Sequence, residues 1–100
     1  MLHVVNKSPF EKNSLDSCLR LAKAGSSVLL IEDGVYGALS GSEHQAKVES
    51  AMADRSVYVL GPDLEARGIA GDALIEGIQV VDYAGFVSLA AEAPKVQSWM

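Results

Sequence analysis

MLHVVNKSPFEKNSLDSCLRLAKAG, residues 1–25, holds one complete strand–loop–helix unit. Its run Leu2-His3-Val4-Val5 is short, apolar and β-branched, which suits a strand buried on both faces of a parallel sheet. A polar loop, residues 6–12, follows; it is longer than most strand-to-helix connections, and long loops in compact domains often carry function. A helix is expected over 13–24. Asn13 can cap it, with Asp16 three residues on as a variant capping box. Leu15, Cys18, Leu19 and Ala22 have the spacing of one apolar helical face. Gly25 stands where a left-handed cap would stop it.

The same unit recurs down the chain. Residues 27–31 form a second apolar strand, ending at Glu32-Asp33-Gly34. A weakly helical piece over 35–39 leads to Ser40 and Glu43, whose capping-box spacing places a helix over 43–53. Residues 56–60 read as a third strand. Gly61-Pro62-Asp63 opens a brief helix, with proline at the position that has no amide to lose, and Gly68 ends it. A fourth strand is expected over 78–81 and a last helix over 83–92, capped by Asp82 and broken by Pro94. Residues 96–99 complete the series as a short edge strand. Strands alternating with helices imply right-handed crossovers. The expected fold is therefore three-layer α/β: a parallel sheet of four to five strands with helices on both faces, in one domain over residues 1–100.

The 100 residues are 49% hydrophobic and 21% charged, with a net charge of -5. That charge excludes a domain that grips a nucleic-acid backbone by itself. The single cysteine excludes an internal disulfide and a paired-cysteine metal site, and fits a reducing, cytoplasmic setting. No leader peptide is expected, and no apolar run approaches the roughly 20 residues of a membrane span. Neither GxGxxG nor GxxxxGK[ST] occurs, so the fold class brings no nucleotide site with it, and no cofactor is expected.

Cys18 is the candidate for chemistry. Near a helix's amino end a thiol can be held as thiolate, with Lys7, Lys12 or Arg20 adding to the effect. Such a thiolate could carry a sulfane sulfur as a persulfide. The alternative is a small hydrophobe, since Cys18 shares the apolar face of Leu15 and Leu19. His3 is expected to be buried and hydrogen-bonded, and His44 exposed. Glu32, Asp33, Asp63 and Asp82 gather beyond the strands' carboxyl ends, as caps and loop residues rather than as an acid–base pair. Trp99, the only tryptophan, is expected to dock on its own sheet or on a neighbouring subunit.

Leu2-His3, Asn6-Lys7-Ser8-Pro9-Phe10, Gly61-Pro62-Asp63-Leu64-Glu65-Ala66-Arg67-Gly68, Val81-Asp82-Tyr83-Ala84-Gly85-Phe86-Val87 and Gln97-Ser98-Trp99, taken in that order, resemble the DsrH/TusB family. The resemblance implies a subunit of an intracellular sulfurtransferase complex. It implies a heterohexamer with DsrE/TusD-like and DsrF/TusC-like subunits and a small sulfur acceptor of the DsrC/TusE type. It also admits a homodimer when the chain is isolated. One branch of the family serves dissimilatory sulfur oxidation, the other 2-thiolation of wobble uridine in tRNA. The joint presence of Asn6-Lys7-Ser8-Pro9-Phe10 and Cys18 makes this chain look more like the sulfur-oxidation branch. The resemblance implies either a sulfur carrier acting through Cys18 or a structural subunit. In the latter, Phe10, Arg67, Tyr83, Phe86 and Trp99 would serve assembly.

Overall fold

The computed structural model describes residues 1–99. Five strands form one parallel sheet: β1 (Leu2–Val5), β2 (Ser27–Leu30), β3 (Ser56–Leu60), β4 (Gln79–Val81) and β5 (Val96–Trp99). Their order across the sheet is β4-β3-β2-β1-β5. β1 thus lies between β2, with Leu2 opposite Ser27, and β5, with Leu2 opposite Val96. Between the strands run α1 (Ser14–Leu21), α2 (Gln45–Ala51), α3 (Gly61–Ala66) and α4 (Tyr83–Glu92). The segment Glu32–Ala38 is a 3₁₀ turn, and a shorter one spans Gly71–Ala73.

Alternation along the strands divides the core into two. Val5, Val28, Leu30, Val57 and Val59 meet Leu15 and Cys18 of α1, Val48 of α2, Leu64 of α3 and Val35 of the 3₁₀ turn. On the opposite face Leu2, Val4 and Leu29 meet Phe86, Leu89 and Ala90. Three helices and a turn cover one face; α4 alone covers the other. Ile75, from the loop between α3 and β4, closes the larger cluster, and its amide donates to the Ala38 carbonyl at 2.8 Å.

The strands stand where the sequence places them, but two helices are shorter than expected. α1 ends at Leu21, and Ala22 is already extended (ψ 128°). Gly25 has φ +85° and sits four residues beyond the helix, donating its amide to the Asp54 carbonyl at 2.7 Å. Arg55 ends the helix instead. Its Nη1 donates to the carbonyls of Leu19 and Ala22, placing a cation where a helix's carboxyl end is partly negative. α2 begins only at Gln45, after His44, and no side-chain cap is formed there. The Gln45 Oε1 atom instead accepts from the Gly41 amide. Asn13 likewise makes no side-chain cap. The Asp82 cap does form: the Gly85 amide donates to Asp82 Oδ1 at 2.8 Å.

The turn after β2 sits tightly against the end of β1. A Cβ built on Gly34 would lie 2.2 Å from the Val5 carbonyl oxygen. That neighbour is backbone in a central strand, so it cannot move aside cheaply. Gly34→Ala should therefore cost about 3 kcal/mol, lowering Tm by roughly 10 °C or more in a chain this size. A thermal melt with Tm unchanged would show that the 3₁₀ turn can lift off β1.

Candidate functional site: the first helix, the last strand and the fourth helix

Cys18 lies at the centre of the larger core cluster with 0% exposure. It is the fifth residue of an eight-residue helix. It is therefore past the first turn, where unpaired amides exert their pull on a charge. Burial pushes the thiol up to about 12, and the Arg55 guanidinium opposes that rise without reversing it. The expected lowering of this thiol's pKa is thus replaced by a rise, because desolvation outweighs the helix terminus. With such a value the thiolate fraction at neutral pH is on the order of 10⁻⁵. The cation that reaches Cys18 is Arg55, which stands 37 residues away in sequence, and not one of the lysines flanking the first loop.

Trp99 closes the last strand onto the first. β5 pairs with β1 from Leu2 opposite Val96 to Val5 opposite Trp99. The Trp99 indole N–H donates to His3 Nδ1 at 3.0 Å, and the two rings lie 6.1 Å apart. His3 is 3% exposed. Burial, with a smaller contribution from the chain's amino terminus, holds its pKa below the ordinary histidine value. Of the two docking places open to Trp99 in the sequence, the structure shows the chain's own sheet.

At the carboxyl ends of the strands the acidic residues are engaged structurally. Asp63 Oδ2 accepts from the Glu32 amide at 2.6 Å, which holds Glu32 in a left-handed conformation at φ +49°. Arg67 clamps Asp33 through Nε and Nη2, at 3.0 and 2.9 Å. Asp82 is occupied as the α4 cap. Arg67, an interface candidate, is thus committed within the chain. His44, expected to be exposed, is largely covered instead (side chain 13% exposed). It meets the ring of Phe10 edge-on at 5.1 Å. Phe10 itself remains 55% exposed, an aromatic held in place by the first loop and open on its outer side.

α4 presents an uncovered apolar surface. Phe86 packs inward on the sheet, whereas Tyr83 and Val87, one turn apart, are 60% and 67% exposed. Ala84 and Ala91 extend the stripe. Glu92 is the only charged residue within the helix. A helix apolar on its outward side is ordinarily covered by a further layer.

Comparison with known proteins agrees with this architecture along nearly the whole chain. The DsrH family profile, described as "DsrH like protein", matches residues 7–96. The chain belongs to the DsrH family. Protein TusB of Erwinia tasmaniensis is 42% identical over 100 residues, covering 99% of this chain and 100% of the relative. Protein TusB of Escherichia coli K12 is 34% identical over 99 residues, with the same coverage. Among solved structures, the YchN protein of E. coli superposes with a TM-score of 0.85 at 23% identity, covering 97% of each chain. A protein of unknown function from Methanobacterium thermoautotrophicum gives 0.77 at 22% identity, covering 97% of this chain and 95% of the other. These two likenesses speak to fold.

Among the described residues of this DsrH-family chain, no helix is long and apolar enough to cross a membrane. The curated relatives carry the TusB name. They favour the second of the two branches over the sulfur-oxidation branch to which Cys18 and residues 6–10 pointed. A cysteine absorbed into the apolar face of α1 is weak evidence for a branch defined by chemistry.

The burial of Cys18 sets its reactivity. Alkylation of the native protein by iodoacetamide at neutral pH should be at least a hundredfold slower than in denaturant, read by mass spectrometry. Because the folded thiol titrates above its unfolded value, the contribution of Cys18 to stability should be constant below about pH 9 and fall as pH rises from 9 towards 12. Denaturation at several alkaline pH values, with Cys18→Ala as the non-titrating reference, checks that slope.

Proposed function

We propose that this chain is a TusB-type subunit of a sulfur-relay complex that supplies sulfur for 2-thiolation of the wobble uridine of tRNA. In this reading it supplies binding surface, and the sulfur passes through cysteines of other subunits. The observation that carries the proposal is the full-length match to relatives named TusB in a chain whose one thiol is sealed in the core. A persulfide relay needs a sulfur that an incoming thiolate can approach and a leaving sulfur stable as an anion. The 0% exposure of Cys18 and its raised pKa weigh against both requirements.

The surface for assembly is the outer side of α4. Tyr83 and Val87 supply exposed apolar area on a stripe free of charge, the composition that favours the middle of a protein interface. Phe10 offers a second aromatic contact. Arg67, Phe86 and Trp99 act inside the chain and support these surfaces. The partners in this reading are a DsrE/TusD-like and a DsrF/TusC-like subunit, two copies of each with this chain, passing sulfur to a DsrC/TusE-like acceptor. A buried free thiol suits the reducing cytoplasm.

Complementation tests this in a bacterium deleted for its own TusB. Expression of this chain together with its two sister subunits should restore 2-thiouridine in tRNA, and Cys18→Ala should restore it equally. Val87→Asp should fold, judged by circular dichroism, yet fail to co-purify with the sisters, and 2-thiouridine should drop at least tenfold. No restoration by the unaltered chain would refute the relay assignment. A folded, assembled Cys18→Ala variant that restores nothing would return the carrier role to this thiol.

A further inference from the structure

We infer that His3 is a proton-operated latch for the C-terminal strand: its neutral imidazole holds Trp99 on the sheet, and protonation releases Trp99 and loosens β5. The geometry begins with the direction of the bond. The indole N–H can only donate, so His3 Nδ1, 3.0 Å away, must offer a lone pair, which leaves the neutral ring's proton on Nε2. A second proton must go onto Nδ1, where it would face the indole N–H. The bond is then lost and replaced by two opposed hydrogens.

β5 has little else to hold it. It is an edge strand, paired on one side only. Val96, Gln97 and Ser98 are all exposed, and Trp99 is its one partly buried residue. Beside the His3–Trp99 pair lies an open cavity of about 450 Å³. Its walls come from the end of α1 (Leu21, then Lys23), the start of β2 (Ser26), β5 (Gln97) and the first residue of the chain. The charged groups lining this space are Lys23 and the amino terminus of Met1, both cationic, and among the described residues no carboxylate lines it. Among the described residues an imidazolium here meets no counter-ion, and burial disfavours it further. The linkage follows in sign: the unfolded chain takes up the proton first, so the hold on β5 is complete above about pH 6.5 and weakens as pH falls below it.

The test is NMR on the intact, ¹⁵N-labelled chain, titrated from about pH 7.5 to about pH 5. In the unaltered protein the Trp99 indole resonance should move with the His3 titration. Amide exchange in β5, corrected for intrinsic pH dependence, should speed up roughly five- to tenfold, the worth of one hydrogen bond, while β2 and β3 stay protected. His3→Asn, whose Oδ1 can accept without titrating, should abolish both changes. Trp99→Phe should raise the pH at which His3 titrates, because the bond favouring the neutral ring is gone. The latch is overturned if the indole and β5 stay unchanged through the His3 titration. It is equally overturned if His3→Asn loosens identically, if Trp99→Phe leaves the His3 titration in place, or if the whole chain unfolds before His3 titrates. Should His3→Asn fail to fold, the Trp99→Phe arm decides alone.

Discussion

Val28, Leu29 and Leu30 of β2 are wholly buried. Three consecutive inaccessible side chains in a strand need a layer on each side of the sheet and a hydrogen-bonded neighbour on each edge. β1 and β3 supply the edges. α1, α2, α3 and the 3₁₀ turn supply one layer, and α4 supplies the other. The two layers are unequal. A ten-residue helix spans about 15 Å, and it must shield one whole face of a five-stranded sheet, with exposed apolar residues left on its outer side. The assembly role proposed above would cover that outer side.

The same desolvation decides the fate of the thiol. The factors that would activate a cysteine near a helix start are real, but they act on a group that water and opposite charge can reach. Once α1 turns its apolar face to the sheet, Cys18 is carried in with Leu15, and the cost of charging sulfur in that setting exceeds what one guanidinium returns. A cysteine at an apolar-face position is a packing residue first, and its chemistry must be argued against its burial.

Much of the fold was legible in the residues. Short apolar runs marked β1, β2 and β3, because parallel strands buried on both faces require continuous apolar stretches; β4 and β5, at the sheet edges, are largely exposed. Asp82 and Pro62 marked helix starts through local chemistry that needs no partner. The ends of α1 and the start of α2 were not legible, because contacts distant in sequence set them. Arg55 takes the last carbonyls of α1 from 33 and 36 residues away, and the Ser40 hydroxyl, expected to cap α2, donates instead to the Ala73 carbonyl 33 residues away. The site was less legible still. The His3–Trp99 bond joins residues 96 positions apart, and only the strand order brings them together. The exposure of Val87, one turn from Tyr83, could have been read from the near absence of charge along α4. The expected exposure of His44 failed because Phe10 folds over it, a contact between two loops that no periodicity reports.

Arg55 and Asp54 also bear on the order in which the chain becomes structured. An eight-residue helix has little stability by itself, and the finish of α1 is provided by a guanidinium just ahead of β3 and by the amide link from Gly25 to Asp54. The first helix is therefore incomplete until roughly half of the polypeptide has emerged and collapsed onto it. A nascent chain that stops short of residue 54 lacks these contacts, so the end of the first helix depends on the segment that leads into the third strand.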